Sequence, residues 1–271
     1  MSKKITFLGI ETSCDETAIS LVKDHSKVLS SKIASQIETH VLFGGVVPEV
    51  AARKHLEVIE PLLQESLQEA QVGLEDIDII SVTQGPGLVG ALLVGASFAK
   101  GLASALQKPL VPVNHVHAHI HGALLGLDAD VRQGGQLYPC LALVASGGHT
   151  HLYYMEDEIT FRLIANSKDD ACGECFDKVA KVLGFPYPGG PAIEKWAAKD
   201  LSPSVQVPMP RVMGHKKWEF SYSGLKTHMA NLVHKEKKPI SDERKSQICR
   251  AFQEEVIDQI VRKLKIAVES Y

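Results

Sequence analysis

The sequence predicts an α/β protein built from two similar halves, and three observations carry that reading. Short β-prone apolar segments alternate with longer amphipathic ones. A three-strand pattern near the start recurs about 135 residues later, the mark of a coarse internal duplication. The chain has 271 residues, 45% hydrophobic and 23% charged, enough for two globular domains with real cores.

Taken in order, residues 5–11 (ITFLGIE), 17–23 and 28–36 read as a meander of three strands separated by polar turns. Pro48 opens an amphipathic segment running to residue 70, a helix expected to be disturbed at Pro61. A strand at 77–83, a Gly-rich turn, an apolar helix to about 106 and a strand at 109–113 complete a βαβ alternation. The second half restarts with strands at 140–146, 149–155 and 159–165, and helices follow from about 172. It ends in helices near 222–235 and 241–268 with no strand after them, so a partial chain is expected. The domains are therefore 1–135 and 136–271. Two halves that each start with a β-β-β meander describe the actin-like ATPase and sugar-kinase (ASKHA) fold, with a nucleotide in the central cleft and the second domain incomplete.

Composition removes several classes. Lys and Arg total 29 against 32 Asp and Glu, a net charge of −3, so no global positive field attracts nucleic acid. Five scattered cysteines are not a disulfide framework and suit a reducing, cytoplasmic setting. No run is expected to reach the roughly 18 apolar residues of a membrane span, and no membrane partner is expected.

The segment NHVHAHIHGALL places histidines at 115, 117, 119 and 121. On a helix His115 pairs with His119 and His117 with His121, and only one pair can face a cleft. Two imidazoles at that spacing can hold a transition metal with a further ligand from elsewhere. The zinc-protease pattern H-E-x-x-H is absent, because Val116 stands where the glutamate would be. The turn ETSCDET carries Glu11, Thr12, Ser13 and Asp15, able to hold phosphate oxygens or a hydrated cation or to sit in an ordinary hairpin. Its counterpart ASGGHT has Gly147 and Gly148, which let backbone N–H groups approach a ligand. GPGLVGALLVG either brings a helix start to an anion or admits close helix packing. Cys172 and Cys175 read as ordinary packed or surface thiols, Asp177 points to the cleft or to solvent, and SYSGLKT supplies a helix start. Lys216, Lys217, Lys235, Lys237 and Lys238 form a solvated face or contact phosphate.

GIETSCDET, GGVVPEVAAR, GPGLVGALLVG, VNHVHAH, SGGHT, DDACGECFDKVAK, YPGGP and SYSGLKT, in this order across the chain, resemble the TsaD family. The resemblance implies an acyltransferase that moves a threonylcarbamoyl group from threonylcarbamoyl-AMP to the adenosine beside the anticodon, in tRNAs reading codons that begin with A. It implies a divalent metal on His115 and His119, iron (Fe2+) or zinc, and an adenylate cradled by Val144, Ala145, Ser146, Gly147 and Gly148 with Asp177, Gly190 and Glu194 nearby. Glu11 and Asp15 are the candidates for a base. Expected partners are tRNA, a smaller TsaB-like paralogue, a TsaE-like ATPase and a separate synthase for the adenylate. The family has glutamate where this chain has His117, and it continues past residue 271 with an asparagine turn and a metal-binding aspartate, so a chain ending there is expected to bind metal weakly and not to turn over. The alternatives are the family's older metallopeptidase label and a non-catalytic nucleotide-binding scaffold.

Overall fold

The computed structural model describes residues 4–24, 26–125, 127, 137–199, 207–210 and 217–271. It divides into two compact units, Met1–Gly126 and Leu127–Tyr271, a boundary N-terminal of the expected 135/136. Lys216 lies outside the described residues.

In the first unit β1 (Thr6–Glu11), β2 (Glu16–Lys23) and β3 (Lys27–Ser35) form the expected antiparallel meander. β4 (Ile79–Gly85) joins the other edge of β1 in parallel, and β5 (Leu110–Asn114) joins β4 in parallel, giving the order β3-β2-β1-β4-β5. Alternation along β1 and β2 sends Leu8, Ile10, Ile19 and Leu21 to one face, where they are buried with Ile59, Leu63 and Ala99. Those last three come from α2 (Pro48–Ala70) and α3 (Val89–Leu106), which pack on the sheet and on each other. A short α1 (Ile37–Val41) precedes them, too brief for a periodic signal.

Two expectations are corrected. α2 runs unbroken through Pro61, because that proline lies on the exposed side, where water can satisfy the Glu57 carbonyl that loses its N–H partner. α3 is, by length and composition, apolar enough to cross a membrane, with 18 residues at a hydropathy of 1.6. Its role in this unit is packing: Ala91, Gly95, Ala99 and Ala103 form its buried side. A Cβ at Gly87 would meet Ser13 and one at Gly95 would meet Thr12 Oγ1, whose hydroxyl donates to the Ala91 carbonyl at 2.8 Å. Those glycines of GPGLVGALLVG are therefore close-packing positions that hold α3 against the β1–β2 turn.

The second unit repeats the meander with β6 (Cys140–Ala145), β7 (Thr150–Met155) and β8 (Phe161–Ser167). A two-residue β9 (Glu219–Phe220) pairs in parallel with β8, so this sheet grows from the side opposite to the first one. Among the described residues four helices follow or flank it: α5 (Cys172–Val182), α6 (Gly189–Ala197), α7 (Ser223–Lys235) and α8 (Asp242–Ser270). Their shared core includes Leu152, Cys175, Val179, Ile193, Phe220, Leu225 and Phe252, and α8 covers α6 along its length. Cys172 and Cys175 are buried free thiols, as read, and burial pushes both upward in pKa, Cys175 to about 12.

Two neighbouring acids connect motifs far apart in sequence. Asp169 accepts from Ser221 Oγ at 2.6 Å, Ser223 Oγ at 2.7 Å and the Tyr222 N–H at 2.7 Å. Asp170 receives Lys178 and Lys226, each at 2.6 Å. DDACGEC thus grips SYSGLKT and fixes where α7 starts relative to α5. Burial alone would raise the Asp170 pKa, but the two lysines outweigh it and hold the carboxyl below its ordinary 3.8. A lowered native pKa contributes stability that is complete above the unfolded value and fades as pH falls below it. Asp170→Asn should therefore lower unfolding free energy by about 1–3 kcal/mol at neutral pH, with the gap to wild type closing as pH drops below 3.8. Urea titrations at several pH values measure this, and a gap independent of pH would contradict the assignment.

Candidate functional site

The C-terminal ends of the parallel strands β1, β4 and β5 carry the polar residues of the first unit, where open α/β sheets bind ligands. β1 ends at Glu11, β4 holds Thr83 beside it because Ile10 and Val82 are in register, and β5 ends at Asn114. Asn114 caps the next helix, α4 (His115–Leu124), accepting from the N–H groups of Val116 at 2.9 Å and His117 at 3.2 Å. The cap sets the helix phase, and the phase chooses the histidine pair. Nε2 of His115 and Nε2 of His119 lie 3.1 Å apart, with ring centroids at 4.5 Å. His117 and His121 form the other pair; burial first, and the neighbouring His121 second, lower the His117 pKa.

Glu11 lies behind the first pair. It accepts from the Ser13 N–H and from Thr83 Oγ1, and its Oε2 is 3.3 Å from Nδ1 of His115. Ser13 Oγ is 3.1 Å from the same nitrogen. Burial would raise the Glu11 pKa, but the hydrogen bonds from His115, Ser13 and Thr83 prevail and bring it to about 2. Glu11 is thus a fixed carboxylate that keeps the His115 proton on Nδ1 and directs Nε2 outward. Burial, reinforced by neighbouring His115, lowers the His119 pKa and favours the neutral imidazole that a metal requires.

This donor set fits a divalent transition metal. Two imidazole nitrogens each about 2.0–2.1 Å from one ion stand roughly 3.0–3.4 Å apart. A carboxylate behind the ligand histidine completes the usual outer arrangement. Among the described residues no group of three or more His, Cys, Asp and Glu assembles around one point. A cavity of about 460 Å³ opens beside the pair, lined also by Gly9, Ser20, Ser81 and Val113. Asp15 sits in the β1–β2 turn at 8% exposure. Burial first, and the Asp15 charge second, raise Glu16 to about 7. Ser13 belongs to the turn that the sequence singled out, whereas Thr83 and Asn114 were not; Asn114 alone of these two had a local signal, an N-cap residue directly before the apolar helix.

In the second unit the β6–β7 turn is closed by its own main chain. The Ser146 N–H donates to the His149 carbonyl at 2.8 Å, and the His149 N–H donates to Ser146 Oγ at 3.1 Å. Val144 and Ala145 end β6, and open space lies over Gly147 and Gly148. The first turn of α5 rests against this bend: the Gly173 N–H donates to the Ser146 carbonyl at 3.1 Å, and the Cys172 N–H to Thr150 Oγ1 at 2.7 Å. A Cβ on Gly173 would come within 2.7 Å of that carbonyl. Asp177, one side of α5, accepts from the Gly189 N–H at 2.7 Å and so caps α6. Gly190 follows with open space above it, whereas Glu194 lies one turn on at an exposed position. These bonds occupy the N–H groups of Ser146, His149, Cys172, Gly173 and Gly189, and leave the open space over Gly147, Gly148 and Gly190 as the approach for a ligand.

The profile of the family described as tRNA N6-adenosine threonylcarbamoyltransferase matches residues 27–271. A protein of that name from Bacillus cereus is 45% identical over 271 residues, covering 100% of this chain and 76% of the relative. Another from Moorella thermoacetica is 44% identical over 272 residues, covering 100% and 77%. Among solved structures, component A of (R)-2-hydroxyglutaryl-CoA dehydratase from Acidaminococcus fermentans aligns over 96% of this chain and 79% of its own, with a TM-score of 0.50 at 15% identity, a likeness of fold alone.

Removing the Glu11 charge should loosen His115 without removing a ligand. Glu11→Gln is expected to weaken metal affinity about 10–100-fold, measured by competition against a chelator of known affinity. Unchanged affinity in a variant that still melts as wild type would show that Glu11 does not orient the ligand.

Proposed function

The chain belongs to the tRNA N6-adenosine threonylcarbamoyltransferase family, and on that premise we propose how its residues divide the work. The fold is the actin-like ATPase fold, and the chain is an acyltransferase acting on tRNA. In our reading the donor is threonylcarbamoyl-AMP, and the acceptor is the exocyclic amine of the adenosine beside the anticodon in tRNAs that read codons beginning with A. The observation that carries this reading is the convergence of the His115 and His119 Nε2 atoms at 3.1 Å with an ionised Glu11 behind them.

His115 and His119 would hold one divalent metal, iron (Fe2+) by family resemblance, with zinc chemically acceptable to the same nitrogens. Bound there, the ion supplies a Lewis acid for the carbamoyl oxygen on which charge develops. Glu11, Ser13 and Thr83 keep the imidazoles aimed and the site rigid. With its lone pairs engaged and its pKa near 2, Glu11 positions rather than accepts the amine proton. In the second unit the Val144–Gly148 turn, with open space over Gly147 and Gly148, would hold the adenylate, with Asp177 and Gly190 nearby. Because the adenylate is a good leaving group, no covalent nucleophile is needed.

A smaller paralogue, a P-loop ATPase and a separate synthase making the adenylate are the partners we assign. For the paralogue, the outer side of α2 and α3 offers Leu56 at 65%, Val89 at 83% and Leu93 at 64% exposure, an apolar surface suited to another helix pair. A tRNA substrate and five free cysteines support a cytoplasmic setting.

Reconstitution of a full-length protein carrying these residues with threonylcarbamoyl-AMP, tRNA and the partner proteins tests the site. His115→Ala/His119→Ala should abolish both bound metal and modified nucleoside; product formation at the wild-type rate would sink the assignment. Leu93→Glu should release the paralogue in size-exclusion runs while leaving the melting temperature of the chain within about 2 °C, since the position is on the surface.

A further inference from the structure

Resting on the two-histidine metal reading, we infer that His55 is a positioning residue for that site: its imidazole, buried on α2, holds the β1–β2 turn whose Ser13 and Glu11 aim His115. His55 is 0% exposed. Its Nε2 lies 3.0 Å from the Cys14 carbonyl oxygen, and its Nδ1 lies 2.7 Å from Thr17 Oγ1. A carbonyl only accepts, so Nε2 carries the proton and Nδ1 takes the threonine hydroxyl. Burial lowers the His55 pKa, in keeping with the neutral ring that this arrangement needs.

The neighbours of His55 leave one arrangement of protons. The Val47 N–H, at the start of α2, donates to His40 Nδ1 at 3.3 Å, so His40 Nε2 donates to Gln36 Oε1 at 3.2 Å. The Gln36 amide nitrogen then donates to the Ala51 carbonyl and towards His55 Nδ1, each at 3.4 Å. His40, Thr17 and Gln36 are all buried, as His55 is. A buried polar chain in which each ring nitrogen has its partner tolerates little rearrangement, because every alternative leaves a donor or an acceptor unpaired.

That rigidity is passed to the turn. Three consecutive turn carbonyls accept from three different segments: Ser13 from the Leu88 N–H before α3 at 2.8 Å, Cys14 from His55 at 3.0 Å, and Asp15 from the Gln36 N–H before α1 at 3.0 Å. The outer two donors are backbone groups, whereas the middle one is a side chain that a substitution removes. On its other side the same turn places the Ser13 N–H on Glu11 and Ser13 Oγ 3.1 Å from His115 Nδ1. Cys14 is the next residue, so losing its donor frees the segment that makes both contacts. His55 itself lines neither the cavity nor the ligand pair and acts only through the turn.

The test compares two amides in the whole chain. In His55→Gln the amide N–H reaches the place of Nε2, and in His55→Asn it stops near the place of Nδ1, beside Thr17. Zinc alone, titrated in competition with a chelator, should bind about tenfold more weakly to His55→Asn and within about threefold of wild type to His55→Gln. Nitrogen-15 NMR of the imidazoles in the metal-free protein, with His115 assigned by a His115→Ala variant, reads the orientation directly. His115 should be protonated on Nδ1 in wild type and His55→Gln, and shared between both nitrogens in His55→Asn. Leu67→Ala, a core change at the far end of α2, lowers stability without touching the turn and should leave zinc affinity and the His115 signals as in wild type. Should His55→Asn not fold, Thr17→Val, which removes the hydroxyl that fixes the His55 tautomer, should give the same two changes in smaller measure. A folded His55→Asn whose His115 signals match wild type overturns the positioning role. Equal loss of affinity in Leu67→Ala overturns it too, because the effect is then a general loss of stability. Wild type that binds no zinc overturns the metal reading alone, and the His115 signals still decide the role of His55.

Discussion

A carboxylate mostly withdrawn from water must be surrounded by donors, and the Glu11 carboxylate imposes that requirement on the whole active end of the first unit. Its donors come from the β1–β2 turn, from β4 and from the first residue of α4. Satisfying one charge therefore fixes three segments at once. The parallel register places Thr83 beside Glu11, the β5 terminus places Asn114, and the Asn114 cap starts α4 so that His115 arrives next to the acid. Thr12 and Ser13 are in turn pinned by the glycines at the start of α3, which leave no room for a side chain. The histidine pair has little freedom left, which is what a metal-binding site needs if ligand order is not to be established on binding.

Much of this was legible in the chain. Period-two and period-3.6 patterns located eight of the nine strands among the described residues to within a few residues, because each buries one face of a layer. β9 was invisible, since two residues carry no period. The H-x-x-x-H spacing announced a chelating pair but could not choose between His115 with His119 and His117 with His121. That choice depends on the helix phase set by Asn114 and on a carboxylate 104 residues away. Thr83 was missed for the same reason: its partner is distant in sequence, and no local pattern records a parallel register. GPGLVGALLVG had two readings, and only atomic contact with Thr12 and Ser13 separated packing from anion binding.

The second unit shows a different division of labour between motif and fold. DDACGEC and SYSGLKT look like two site motifs, yet Asp169 and Asp170 bind mainly to the serines and lysines of the other motif and of α5. Their joint effect is to hold α5, whose first N–H groups rest on the Ser146–Gly147 bend. Asp177 works similarly by capping α6 at Gly189, where a Cβ would strike Asp177 itself and Ala180. Acids that the motifs suggest for chemistry are here fixing helix ends.

That distinction bears on the choice between hydrolysis and transfer. A metallopeptidase of the two-histidine type needs a carboxylate beside the pair with a lone pair available to take a proton from water. Val116 fills the adjacent position and is 1% exposed, so it belongs to the core. The nearby carboxylate, Glu11, stays ionised to about pH 2 because its oxygens already accept from three residues, and those same bonds make it a weak base. Acyl transfer from an adenylate asks less of the protein: the leaving group departs unaided, and the task is to hold the donor, stabilise oxygen charge and exclude competing water. A fixed pair of imidazoles backed by an ionised carboxylate suits that task and not the other.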